Sequence, residues 1–258
     1  MINTQMKLLR YTVFSAGLLG MTLRALLYAT AIDAKGLLAA DHWATWTILI
    51  LTGLMLVLLG IGARNPQGPK DYKDCFPASL CQGATSLFLG GVIAFRTLSH
   101  VSTAGDSLEL AASVSGIAAC TAMAVAGICR FTGKQPSFLC HSALCIFLAL
   151  QMVSQYRRWS ADPQLIDYCF YLLAFVCLML TAYFLAGFDA NLGSRRGVLF
   201  FSMASGFFCL LALPESGDAG FLAACALWAF CCGPQNQAKP RRHRPVMVTD
   251  EENTDDHT

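Results

Sequence analysis

The feature that most constrains this chain is a series of long apolar runs, each near the roughly 20 residues that cross a bilayer as a helix. Eight are visible, at residues 8–31, 43–63, 78–99, 108–129, 137–156, 165–188, 197–213 and 219–233. The last two are the shortest. Backbone polar groups in hydrocarbon must be paired, which leaves helices or closed barrels as spanning structures. The alternation of a membrane strand is absent, so the runs predict helices. Composition agrees: 55% of residues are hydrophobic and 13% charged, against about 25% charged in a soluble domain. The expected fold class is all-α, a polytopic integral membrane helical bundle of about eight transmembrane helices. It occupies residues 1–233. Residues 234–258, basic at Lys239 to Arg244 and acidic from Asp250 to Asp256, are expected to form a disordered cytoplasmic tail. Its basic cluster either holds anionic lipid or simply fixes topology.

Orientation follows from the placement of Lys and Arg. With the N-terminus inside, the inner segments hold thirteen of them and the outer loops three: Lys35, Arg157 and Arg158. Arg24 and Arg96 fall within spans. This split predicts both ends in the cytoplasm and an even number of helices. A cleaved signal peptide competes for the first run, with Ala29-Thr30-Ala31 as a cleavage-like site and Arg24 interrupting the apolar stretch. Segment breaks have recognisable chemistry: the run from Arg64 to Pro69, a capping box of Asp106 with Glu109, and Asp162-Pro163 as an N-cap with Pro after it. Trp43, Trp46 and Trp159 suit the outer interface. The octets at residues 105–112 and 217–224 echo one another weakly and raise the idea of a four-plus-four repeat.

Twelve cysteines are many for 258 residues. Most lie inside apolar runs and no CxxC pair occurs, so they predict packing rather than a disulfide framework or a zinc site. No metal, no cofactor and no catalytic residue is expected. All acids fall in loops, first turns or the tail, which disfavours ion coupling through buried carboxylates. No span carries Lys, and there is no Walker A, HExxH or GxSxG motif. Met203-Ala204-Ser205-Gly206 reads as helix packing. The tail is too short and too balanced in charge for nucleic acid. Enzymatic activity is not expected, although a membrane-embedded lipid-modifying enzyme remains a third reading.

The fourth run has small residues every four positions: Ala112, Gly116, Cys120, Ala124, and beside them Ser115, Ala119, Met123, Gly127. Such rows let helices approach closely, which predicts a central place for this helix. The sixth run, rich in large side chains from Phe170 to Leu180, is expected to face lipid.

The polar residues inside the spans carry the functional expectation. Arg24 shares a face with Gly17, Gly20, Met21 and Tyr28, and Arg96 with Ser99, His100 and Thr103. Gln151, Ser154, Gln155 and Arg158 form one stripe on the fifth run. These three faces are expected to meet in an outward-open basic vestibule made by Arg24, Arg96, His100, Gln151, Gln155 and Arg158. Guanidinium groups suit carboxylate or phosphate. The competing account is that the arginines snorkel and bond between helices, with no ligand. His141, near the inner end of the fifth run, reads as a proton-linked switch or a hydrogen-bonded interfacial histidine.

Three functions remain. The first is a transport or ligand-binding protein for an anionic or amphiphilic solute, without its own ATPase. The second is a non-catalytic subunit or scaffold packing a membrane partner or a second copy through small-residue helices. The lipid enzyme is the third. Expected partners are therefore the lipid bilayer, a small anionic ligand or lipid, and a membrane protein partner or homo-oligomer. The short loops suit a bacterial inner membrane.

Overall fold

The computed structural model describes residues 2–30, 42–64, 75–76, 78–101, 107–159, 168–215 and 217–233, with the side chains of 2–7, 100–101, 107, 158–159 and 215 left aside. Eight helices lie in these residues, and no strand does. They are α1 (Ile2–Thr30), α2 (Trp43–Gly62), α3 (Leu80–Val101), α4 (Ser107–Thr132), α5 (Phe138–Trp159), α6 (Cys169–Asp189), α7 (Arg195–Ala212) and α8 (Ala219–Cys232). Six of them, all except α3 and α8, are long and apolar enough to cross a membrane. The chain is a multi-pass membrane helical bundle. At about 1.5 Å per residue, the 14 residues of α8 fall short of the roughly 30 Å hydrocarbon core. Eight helices are thus present where eight spans are expected, and six of them meet the length and hydropathy of a span.

Local chemistry starts and stops these helices. His42 caps α2, its Nδ1 accepting from the Ala44 amide at 3.3 Å, and Ser194 caps α7 by accepting from Gly197 N. At the other ends, Gly133 and Asn191 adopt left-handed backbone, φ 67° and 60°. There the Lys134 amide returns to the Cys129 carbonyl and the Leu192 amide to that of Gly187, which closes orphan carbonyls of α4 and α6. The break after Arg64, the Asp106 cap and Asp162-Pro163 lie outside the described residues, as do residues 234–258.

Helices α3 to α8 pack successively, and α8 returns against α3, so the six close a ring. Helices α1 and α2 pack outside it, chiefly against α7 and each other. The ring draws two helices from the first half of the chain and four from the second, so the halves do not pack as a four-plus-four repeat.

Helix α7 sits deepest: every residue from Ser202 to Ala212 is buried. Its small side chains explain this. A Cβ on Gly206 would stand 2.8 Å from the Phe230 ring, and Leu210 and Leu211 of α7 press on Gly17 and Gly20 of α1. The packing reading of Met203 to Gly206 fits this contact. The expectation for α4 is corrected: Leu110, Val114, Ile117, Val125 and Ile128 are exposed along one side of it, so its small rows serve only the α3 and α5 contacts. The expectation for α6 is corrected as well. Tyr171, Ala174, Phe175, Leu178, Ala182 and Leu185 are buried there, because α6 lies between α5 and α7.

Exposure to lipid is clearest on α2. Ala44, Ile48, Thr52, Met55 and Leu59 form one buried stripe at helical spacing. Leu49, Ile50, Leu54, Val57 and Ile61 face outward. Trp43 and Trp46 are exposed at the start of this helix.

Candidate functional site

Two polar clusters interrupt the apolar bundle, one near each end. The first is built on Arg96, late in α3 and 7% exposed. Its Nη2 pairs with Asp218 Oδ2 at 2.7 Å, and Asp218, just before α8, is 30% exposed. Its guanidinium lies 4.6 Å over the Phe221 ring. Arg96 also lines a cleft of about 30 Å³ with Glu109, Ala112, Ser113, Gln151, Ser154 and Gln155. Nε and Nη1 of Arg96 are buried with no hydrogen-bond partner among the described residues. Beneath Arg96, Phe221 packs on Phe175 at 5.9 Å and edge-on to Phe147 at 6.4 Å. Phe147, Phe175 and Phe221 thus form an aromatic layer against the Arg96 guanidinium.

Arg96 on α3 and Gln151 and Gln155 on α5 line one cleft across α4, which contributes Glu109 and the small Ala112 and Ser113. Arg24 is not in it. That residue is 4% exposed, bonded from Nη2 to the Tyr28 hydroxyl at 3.4 Å, with its guanidinium 4.7 Å over Phe170. Helix α1 packs outside the ring, and that distance from α5 keeps Arg24 out of the cleft. The His100 and Arg158 side chains lie outside the described residues. Glu109 and Asp218 are the residues that sequence reasoning missed here. Glu109 reads as a helix cap and Asp218 as a loop acid. Among the described residues, Glu109 lines the cleft with Arg96, and Asp218 pairs with the same arginine.

The second cluster joins α5 to α6. His141 Nδ1 is hydrogen-bonded to Asp189 Oδ2, with the two side chains 2% and 0% exposed. The expectation that every acid falls in a loop, a first turn or the tail is corrected: Asp189 is the last residue of α6, and its side chain is enclosed. Gln135, in the connection before α5, donates from Nε2 to the Asp189 carbonyl at 2.7 Å and to Asn191 Oδ1 at 3.2 Å. Phe76 closes the same end, edge-on to Phe188 at 5.3 Å with the Arg130 guanidinium 4.2 Å over its ring. His141 is hydrogen-bonded to a carboxylate on a different helix, a partner that the sequence did not offer.

Among the described residues, no group of three or more His, Cys, Asp or Glu is placed to hold a metal ion. His42, which has no acidic or Cys partner at ligand spacing in the sequence, serves as a helix cap. Comparison with protein-family models, curated proteins and solved structures gives no match. The functional reading accordingly rests on the chemistry of the two clusters.

Proposed function

We propose that this multi-pass membrane protein binds or transports an anionic amphiphile, taking the charged end of the solute at the Arg96 cleft. The observation that carries the reading is Arg96 itself, buried late in α3 beside Gln151 and Gln155, with two nitrogens that make no hydrogen bond among the described residues. Arginine binds carboxylate and phosphate through paired hydrogen bonds. Burying a guanidinium is costly unless it is paired, and an anion in the cleft would offset that cost.

The cleft's size shapes the proposal. Drug-sized ligands occupy roughly 300–1,000 Å³, whereas this cleft measures about 30 Å³. It suits a headgroup atom cluster, with the tail left in lipid. Full entry or passage requires the Phe147, Phe175 and Phe221 layer to part. Asp218 competes for the same guanidinium, so an incoming anion exchanges with it. By the charge rule the cleft opens on the outer leaflet, and the cell membrane, such as a bacterial inner membrane, is the proposed location.

The test is thermal unfolding in nanodiscs with decanoate, decyl phosphate and decyltrimethylammonium. The two anions should raise the melting temperature of the wild type and of Arg24→Gln, while Arg96→Gln loses the response. No anion-specific shift, or an equal shift in Arg96→Gln, would reject the reading.

A further inference from the structure

The thiols of Cys81 and Cys231 stand 3.4 Å apart, across the contact of α3 with α8 and at the end opposite the Arg96 cleft. All twelve cysteines are free. Core packing accounts for most of them, but not for Cys81, which is exposed and fills no interior. The two helix ends are held in register around it. Gln82 Nε2 donates to the Cys231 carbonyl at 2.9 Å and to the Gly233 carbonyl at 3.4 Å. Thr85 Oγ1 donates to the Cys81 carbonyl at 2.9 Å. Arg10 also lies here, since a Cβ on Gly233 would stand 2.7 Å from its Nη2.

We propose that Cys81 and Cys231 are a redox-sensitive pair that peroxide converts to a disulfide, clamping α3 to α8. The Cys81 thiolate, the more exposed of the two, attacks one peroxide oxygen. The O–O bond breaks, water leaves after protonation, and Cys81 becomes a sulfenic acid. The Cys231 thiolate then attacks that sulfur, the S–S bond forms, the S–O bond breaks and a second water leaves. Two thiols lose two electrons in all, and one peroxide gains them. The sulfurs must close from 3.4 Å to the about 2.05 Å of a bond, a movement within reach of side-chain rotation at a helix end.

The charge rule places this end in the cytoplasm, where the thiols stay reduced until an oxidant arrives, as redox-sensing cytosolic pairs do. The clamp acts on the two helices whose other ends are joined by Arg96 and Asp218. Its chemistry does not depend on the ligand reading, and neither does its test.

Membranes holding the full chain are treated with hydrogen peroxide, alkylated, digested and analysed by mass spectrometry. The expected product is a peptide linking Cys81 to Cys231 that dithiothreitol dissolves and Cys81→Ser abolishes. Maleimide labelling should fall by two thiols per chain, and the melting temperature of the oxidised wild type should rise above that of the oxidised Cys81→Ser variant. Peroxide that leaves Cys81 as a sulfinic acid with no linked peptide would overturn the proposal. So would a link formed only between differently tagged copies, or one that leaves the melting temperature unchanged.

Discussion

The Arg96–Asp218 and His141–Asp189 pairs both bury charge-bearing groups in an apolar bundle, yet their settings are opposite. Asp218 is 30% exposed and Arg96 borders a cleft. The inner pair is enclosed on both sides, 2% and 0% exposed, beneath a cover of Phe76, Phe188 and Gln135. Asp218 is open to solvent, and neither side chain of the His141–Asp189 pair is. The comparison teaches that burial, rather than charge, separates a bond that holds helices together from one available for exchange.

The sharpest way to break this comparison is to remove one inner partner. Asp189→Ala leaves His141 enclosed with nothing to bond, and losses of this kind cost about 3–5 kcal/mol. Denaturant unfolding in detergent micelles should show a loss of that order. Replacing both partners, with His141→Leu and Asp189→Leu, should recover more than half of it, since apolar substitutes for a buried pair are often neutral. If the double variant is no better than the single, the pair is doing more than joining two helices.

Gly116 tests the floor of the outer region. A Cβ there would meet Thr97 Oγ1 and lie 3.2 Å from Phe147 Cε2, so Gly116→Ala should cost about 1–3 kcal/mol by overpacking. Adding Thr97→Ala should restore most of the melting temperature. A tolerated Gly116→Ala would mean that α3 and α4 separate readily under the cleft.

The smallest effect on stability is expected at Asp218. Asp218→Asn keeps an acceptor oxygen beside Arg96 and loses only the charge, so it should cost less than Gly116→Ala. It should also raise the affinity for decanoate several-fold, since the competing carboxylate is gone. Titration of the nanodisc-embedded chain measures both. Weaker anion binding in this variant would show that Asp218 orients Arg96 instead of competing for it.

Much of the outer cluster was legible because residues three and four apart share a helix face whatever surrounds them. That rule joins Gln151 to Gln155 on one face of α5, while Arg96 stands on another helix. It is silent on which faces meet, and so it grouped Arg24 with them although α1 packs outside the ring. It also could not find the inner pair. His141 and Asp189 are 48 residues apart, and Asp189 adjoins the turn at Asn191 to Gly193, which makes it resemble a loop acid. The one available signal was that both residues fall at the inner ends of consecutive helices. The same blindness placed α4 at the centre. Small residues permit close approach, but only the neighbours that arrive decide how deeply a helix is buried, and α7 has neighbours on more sides.

By itself the sequence determined that this chain forms helices and that they cross a membrane, because hydrocarbon length and the need to pair backbone groups act locally on each run. The charge pattern likewise set the expected orientation. Tertiary structure alone decided which helices close the ring, which arginine faces the cleft, and which acid is sealed against a histidine. Those outcomes depend on contacts between distant segments, whose favourable and unfavourable terms exist only once the helices have met.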